Sequence, residues 1–204
     1  MSYADFISQV VLAYRREHLN KQSAERDNVE ALKHQAEHTF FPNRDPICFY
    51  MGADAYSDHK SRNPKLSNSK GDTFPVDDIA NRCMGVEVIC GPINTVFLYY
   101  TDDFIKKGSN LMVEVMRRAI SKLRELLAEK GLMLPKTGYF SFDNCGENKN
   151  RSLFAYFAML VELELFSVIE VYFLVVGHTH TPLDQYFSVL GRYLLGSIFL
   201  PCIL

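Results

Sequence analysis

The sequence has almost no excess of charge of either sign. Its 204 residues carry 22 Lys and Arg against 24 Asp and Glu, a formal net charge of −2. A protein that holds nucleic acid over a broad surface needs a basic surface, so this balance argues against such a footprint. Any contact with a polyanion is therefore expected to be local. The hydrophobic share of 48% is ordinary for a globular protein, and the length allows one full core.

Cysteine and long apolar runs are also scarce. The five cysteines form no CxxC pair and no even framework, which predicts buried, reduced thiols in an intracellular protein. The N-terminus has no basic stretch followed by a long apolar core, so we predict no signal peptide. The longest apolar run, residues 171–177, is far too short to span a membrane, and we predict no membrane contact.

The sequence does contain an ordered series of apolar strands and helices. We predict strands at 47–54, 84–90, 95–101, 139–143 and 168–176, and helices at 111–130, 150–166 and from about 182 onward. A hairpin followed by crossover helices requires a mixed sheet with helices on its faces, so the fold class is α/β with five strands. Residues 1–45 are expected to form a helical N-terminal arm, and 46–204 the main domain.

Three local features refine this prediction. Ser109 or Asn110 is expected to cap the amphipathic helix at 111–130. The helix at 150–166 is apolar nearly all round, which predicts that it is buried. The apolar last residues, 194–204, fit either a buried final helix or the end of a truncated chain.

Two of the predicted strands end in an aspartate. Asp54 closes the strand at 47–54, and Asp143 closes the apolar stretch YFSFD. These strands can be parallel neighbours, and adjacent strands lie about 4.8 Å apart. We therefore expect the two carboxylates to lie side by side at one end of the sheet.

The stretches SFDNCGENKN and FLVVGHTHTPLDQYF carry a resemblance to a known family. With the order of the elements, they are similar to the ribonuclease H-like fold of DDE transposases and integrases. They look most like the transposase-derived domains of eukaryotic genomes, which share the patterns D-N-C-x-x-Q-N-K-N and G-H-T/S-x-x-x-x-D-x-x-F. The resemblance covers about residues 18–195, and Glu147 stands where the group has Gln. It implies a ribonuclease H-like sheet, a third acid at Asp184 and a nuclear setting.

The resemblance further implies that Asp54, Asp143 and Asp184 are catalytic metal ligands. Three carboxylates at one end of a sheet repel one another unless their pKa values rise or cations bind, and hard oxygen ligands suit Mg²⁺ or Mn²⁺. Two such ions, about 4 Å apart, would promote cleavage or strand transfer at a DNA phosphodiester. Supporting roles are expected for Asn144, Asn148, His178 and His180, and local DNA contacts for Lys60, Arg62, Lys65 and Lys149.

Each of these acids also has a structural alternative. Asp143 can form an Asx-turn or cap the following helix, and Asp184 can be an acid favoured at a helix start. Asp58 lies close enough in sequence to take the place of Asp54.

Two other functions stay open at the level of sequence. The fold can persist without catalysis, as an inert module that binds nucleic acid or protein. The GHTH motif also matches calcineurin-like metallophosphoesterases, in which His178 and His180 would bind a metal. The other ligand motifs of that family are missing from this chain, which argues against this second alternative.

Overall fold

The computed structural model describes residues 3–38, 44–55, 62–63, 79–80, 82–101, 108–145, 148–174 and 182–196. In chain order its elements are α1 (Tyr3–His38), β1 (Cys48–Ala55), β2 (Arg62–Asn63), β3 (Ile79–Ala80), β4 (Arg82–Cys90), β5 (Ile93–Thr101), α2 (Ser109–Glu129), β6 (Thr137–Asp143), α3 (Arg151–Glu162), β7 (Val168–Leu174) and α4 (Pro182–Gly196). The strands and helices predicted for the main domain all form, with small differences at their ends.

Five strands form one mixed sheet in the order β5-β4-β1-β6-β7, and β2 pairs with β3 in a separate short ribbon. The central strand β1 is antiparallel to β4 and parallel to β6, and β6 is parallel to β7. This arrangement confirms the predicted fold class, a mixed five-stranded sheet flanked by helices. Because β1 and β6 are parallel neighbours, their carboxyl ends meet at the same end of the sheet.

The hairpin of β4 and β5 is closed by Gly91 and Pro92, within the predicted GPIN turn. Gly91 has a φ of +52°, which an L side chain adopts at a cost and glycine adopts freely. Its backbone N–H donates to the carbonyl of Ala36 on α1 at 2.8 Å. The turn therefore also ties the N-terminal helix to the sheet.

One side of the sheet, called here the apolar face, packs against α2 and α3. Phe140 is fully buried there, in edge-to-face contact with Phe49 and with its centroid 4.5 Å from that of Phe157 on α3. The helix α2 contributes a buried stripe at helical spacing: Met112, Val115, Met116, Ala119, Leu123 and Leu127. This face holds the main hydrophobic core of the described chain.

The opposite side, called here the polar face, packs against α1 and α4. Val29 and Ala36 of α1 cover an apolar cluster that includes Tyr50, Ile89 and Tyr139. At the other end of this face, Leu183 and Phe187 of α4 pack on Cys83 of β4. The two helices thus cover separate stretches of the sheet, and the polar residues described below lie between them.

Two local predictions are wrong. The helix α3 ends at Glu162, and it is buried on one side only: Phe154, Met159 and Val161 are exposed. Apolar composition does not distinguish a core helix from one with an uncovered apolar side. The N-cap of α2 is Gly108, with no side-chain cap hydrogen bond, rather than Ser109 or Asn110.

Two predictions about absent features can be compared with the described residues. Cys48, Cys83 and Cys90 are buried and Cys145 is half-buried, and none of these four is in a disulfide, so the prediction of buried, reduced thiols is confirmed for the first three. Among the described helices, none combines the length and the apolar character that crossing a membrane requires.

Candidate functional site

The strand register brings the first two predicted acids together. Gly52 pairs with Ser141, and Ala53 pairs with Phe142, so the next residues on the two strands are Asp54 and Asp143. Both side chains line one narrow recess on the polar face. A common recess confirms that the carboxyl ends of β1 and β6 present their carboxylates to the same space.

The packing of α4 brings the third predicted acid, Asp184, close enough to act electrostatically on Asp54. Asp54 pairs with Gly85 on β4, and Gly85 lies directly beneath α4. A Cβ on Gly85 would lie 2.9 Å from Leu183 Cδ2 and 3.0 Å from Phe187 Cζ, so the glycine permits this close approach. Leu183 lines the recess of the two acids, and Asp184 follows it in the first turn of the helix.

The three carboxylates interact electrostatically. Burial raises the pKa of Asp54 from its ordinary 3.8 to about 6, and the charges of Asp143 and Asp184 act in the same direction. The backbone N–H of Ala55, which donates to Asp54 Oδ1 at 2.8 Å, acts against them. Placing three acids at one end of the sheet is therefore unfavourable at neutral pH when no cation is present.

Asn148 orients the carboxylate of Asp143. Its side-chain amide is buried and donates to both Asp143 Oδ1 and the Asp143 carbonyl. Two residues later, Asn150 Oδ1 accepts from the Leu153 backbone N–H at 2.8 Å and so caps α3. The asparagines after β6 thus have two roles: Asn148 holds the Asp143 carboxylate, and Asn150 caps the N-terminus of α3.

A second polar row lies directly behind the acids. Glu87 on β4 and Ser141 on β6 flank Gly52 of β1, and both line the same recess. The Tyr50 hydroxyl passes over Gly52 and forms a 2.6 Å hydrogen bond with Ser141 Oγ. An added Cβ on Gly52 would be 2.7 Å from that hydroxyl, so only glycine leaves room for the bond.

Lys33 of α1 supplies a positive charge to this second row. Its Nζ lies 3.0 Å from Glu87 Oε2 and 5.3 Å from the centroid of the Tyr50 ring. Both partners of the ion pair are about nine-tenths buried. Burial raises the pKa of Glu87, and the neighbouring Lys33 opposes that rise.

Sequence reasoning missed this ion pair. The signal was present in the stretch MGVEVIC, where a single acid interrupts a buried strand and so needs a partner. Its partner could not be found, because Lys33 lies in a largely polar stretch of α1 that has several similar candidates.

Of the remaining predicted site residues, three are among those that the structure describes and four are not. Asn144 is half-buried directly after Asp143, and the exposed Lys149 holds its ammonium 4.9 Å from the centroid of the Phe173 ring. Arg62 lies in the short strand β2, which pairs with β3 and is not part of the main sheet. Four others lie outside the described residues, namely Lys60, Lys65, His178 and His180, as does the alternative acid Asp58.

The donor set at the recess fits a divalent cation in chemistry. Carboxylate oxygens are the ligands that Mg²⁺ and Mn²⁺ prefer, and a cation would offset both the burial and the repulsion that raise the pKa of Asp54. Within the part of the chain that the structure describes, however, no three His, Cys, Asp or Glu side chains are grouped closely enough to hold an ion together. Asp54 and Asp143 are the adjacent pair, and Asp184 is the third, more distant charge.

A comparison with protein-family models matches residues 82–197, more than half of the chain, to a domain of unknown function, DUF7869. The chain belongs to this family. The DUF7869 match extends from β4 to α4 and includes Asp143 and Asp184. The strand β1, which carries Asp54, lies before the matched region. No curated protein matches the chain.

Comparisons of this DUF7869 member with solved structures give weak similarities to Mos1 transposase. A Mos1 transposase paired-end complex with left transposon end aligns at a TM-score of 0.41 and 10% identity, over 88% of this chain and 49% of that one. The catalytic domain of Mos1 mariner transposase aligns at 0.40 and 11%, over 86% of this chain and 72% of that one. The chain thus spans about half the length of the first of these proteins. The fold class stated above is established by the strand order rather than by these alignments.

Proposed function

We propose that the chain is a transposase-derived domain whose chemistry is metal-dependent cleavage or strand transfer at a DNA phosphodiester. Asp54, Asp143 and Asp184 are the proposed ligands of Mg²⁺ or Mn²⁺. The observation that carries the proposal is that Asp54 and Asp143 line one recess, while Asp184, on a third element far away in sequence, acts electrostatically on Asp54. A purely structural acid at a strand end or a helix start needs no such convergence.

The chain's own residues have separate roles in this proposal. Asn148 holds the Asp143 carboxylate in one orientation through its two donated hydrogen bonds. The rigid strands β1 and β6 hold two ligands in register, and the Gly85 contact sets the approach of α4. Bound divalent ions would supply the positive charge that a phosphodiester needs in its transition state.

Substrate contacts are assigned to the cations that the sequence analysis singled out. Lys60, Arg62, Lys65 and Lys149 are proposed to neutralise a few DNA phosphates, consistent with the small net charge. His178 and His180 are proposed to support the segment before Asp184, and Asn144 to support the carboxylates. A nuclear setting belongs to the same proposal.

Metal binding tests the acid triad directly. Melting of the protein is measured with and without Mn²⁺, for the unmodified chain and for Asp54→Asn, Asp143→Asn and Asp184→Asn. Each substitution is expected to reduce the Mn²⁺-dependent rise in Tm, because each removes a ligand charge. Asp27→Asn is the matched control, since Asp27 is an exposed acid on α1. An equal Mn²⁺ shift in all four variants would disprove the shared site.

Cleavage is tested separately by nicking of supercoiled DNA. The unmodified chain is expected to nick DNA only with Mn²⁺ or Mg²⁺, and Asp143→Asn is expected to abolish the activity. If both proteins nick equally, the cleavage does not come from this site.

One observation favours a second candidate function, a catalytically inert module that binds nucleic acid or protein. In the described residues the acids are not gathered tightly enough to hold an ion together. An inert module would retain the recess without any metal-dependent change in Tm. Absence of a Mn²⁺ shift in the unmodified chain would therefore support this candidate over the first.

A further inference from the structure

A second surface lies on the far edge of the sheet from β7, between the edge strand β5 and the helix α2. It is an open groove of about 540 Å³. One wall is formed by four consecutive residues of β5, from Val96 to Tyr99, and the other by one side of α2, including Arg118 and Lys122. A strand edge beside a helix is the kind of site into which an extended peptide can add as a further strand.

The backbone of β5 offers hydrogen-bonding groups to this groove. The sheet order makes β5 an edge strand, and within the described residues no strand pairs with its outer side. Cys90 and Ile93 close the two-residue hairpin as a hydrogen-bonded pair. Because hydrogen-bonded and non-hydrogen-bonded pairs alternate along an antiparallel ladder, Val96 and Leu98 direct their N–H and C=O groups outward.

The charge of the groove is positive. Its lining residues carry three cations, Arg117, Arg118 and Lys122, against one acid, Glu125. Both arginines also contact Glu114, each at 2.7 Å, so the balance stays positive when this neighbour is counted. Lys122 Nζ likewise lies 3.0 Å from Glu125 Oε2, and the three paired cations are about half exposed, so a ligand can reach them.

The spacing of these charges matches an extended chain. Arg118 and Lys122 are four residues apart on α2, a rise of about 6 Å. Alternate residues of a β-strand point to the same side and are about 6.7 Å apart. Acidic side chains at every second position of an added strand would therefore reach successive cations of the helix.

We infer that the groove between β5 and α2 binds an extended acidic peptide of a partner protein by adding it to the sheet as a sixth strand. The outward backbone groups of β5 supply main-chain hydrogen bonds, and the basic side of α2 selects for acidic side chains. A nucleic acid would satisfy the cations but would leave the backbone edge unpaired, so the peptide is the better match. This inference is independent of the acid recess and of its metal.

The test uses a fluorescent eight-residue peptide that alternates glutamate with valine, with fluorescence anisotropy as the readout on the full chain. Binding is expected to weaken at least about tenfold in the double variant Arg118→Glu with Lys122→Glu. The double variant Arg124→Glu with Lys130→Glu is the matched control, because it makes the same charge change at exposed positions outside the groove. Equal binding by the double variant and the control would overturn the proposal.

A second measurement leaves the protein unchanged and alters the backbone of the peptide. Methylation of alternate backbone nitrogens on the edge that faces β5 is expected to abolish binding, because it removes the donors that the added strand requires. A peptide that alternates lysine with valine should not bind. If methylation has no effect, or if oligothymidylate displaces the peptide and binds as tightly in the same groove, the groove is a general anion site and strand addition is disproved.

Discussion

The two faces of the central sheet are built from the same strands but differ in what they bury: one buries apolar side chains and the other buries charged and polar groups. Successive residues of β1 alternate between them, so Phe49 and Met51 enter the main core while Tyr50 and Asp54 face the recess. The apolar face stabilises the fold by burial alone. The polar face buries an ion pair and a tyrosine hydroxyl and partly buries the Asp54 carboxylate, all of which need specific partners. From this difference we infer that the apolar face provides most of the stability of the fold. That stability offsets the cost of holding charged groups on the polar face.

The largest effect is expected on the apolar face. Phe140→Ala removes a fully buried ring that contacts both Phe49 and Phe157, and should lower the free energy of unfolding by about 3–5 kcal/mol. Urea denaturation measures the change. Phe154→Ala is the matched control on the exposed side of α3 and should cost much less. Equal costs would mean that the apolar face is not the main source of stability.

A somewhat smaller loss is expected from breaking the ion pair on the polar face. Lys33→Met leaves Glu87 buried without its cation, at a cost of about 3 kcal/mol. Adding Glu87→Gln to this variant should recover much of the loss, because the uncompensated charge is removed. Lys21→Met breaks an exposed ion pair on the same helix and should have no measurable effect in urea denaturation. Failure of the second substitution to restore stability would show that Lys33 acts through packing alone.

Removal of one acid should stabilise the metal-free protein. The pKa of Asp54 is about 6 in the folded chain and 3.8 ordinarily, so the folded state binds more protons than the unfolded state between about pH 4 and 6. The contribution of Asp54 to stability should therefore be highest below about pH 4 and should be lost as pH rises through 6, by on the order of 2–3 kcal/mol. Asp54→Asn should remove this fall when unfolding is followed in a chelating buffer. A variant with an unchanged pH profile would contradict the shift.

The smallest effect on stability is expected from changing the contact between Gly85 and α4, the helix that carries Asp184. Gly85→Ala adds a Cβ that must displace the ends of Leu183 and Phe187, at a cost of about 1 kcal/mol. As α4 moves outward, the charge of Asp184 should act less on Asp54, and the pKa of Asp54 measured by NMR should fall. Leu183→Ala in the same variant should restore part of the contact geometry. A pKa that does not respond to Gly85→Ala would mean that α4 does not control the interaction.

The sequence predicts the framework of this molecule better than its polar interior. Hydrophobic runs and turn residues were sufficient to place each strand of the main sheet. The periodicity of apolar residues and the Gly, Pro and Asn residues that mark turns are both local signals in the sequence. The adjacency of Asp54 and Asp143 also followed, since a crossover helix makes parallel neighbours and strand ends are visible in the sequence. The N-terminal arm was predicted as a helix, and it forms α1.

Features that depend on packing between distant elements were not predictable. The pairing of Lys33 with Glu87 requires the docking angle of α1, which no local pattern contains. All sides of α3 were predicted to be buried, but one side is exposed. The prediction was wrong because composition alone does not show which sides of a helix pack against another element. The absence of a tight three-acid cluster among the described residues depends on how closely α4 approaches, a matter of a few side-chain contacts.

The hydrogen bond between Tyr50 and Ser141 joins residues that are 91 positions apart in the chain. Links of this length form slowly, whereas the hairpin of β4 and β5 closes over two residues. During synthesis, β1 leaves the ribosome before α2 and β6. Its carboxyl end can therefore pair with its parallel neighbour, β6, only after both of these elements have been made. The repelling carboxylates are thus brought together only after the hairpin and much of the hydrophobic core can already have formed, so that charge crowding does not oppose the early steps of folding.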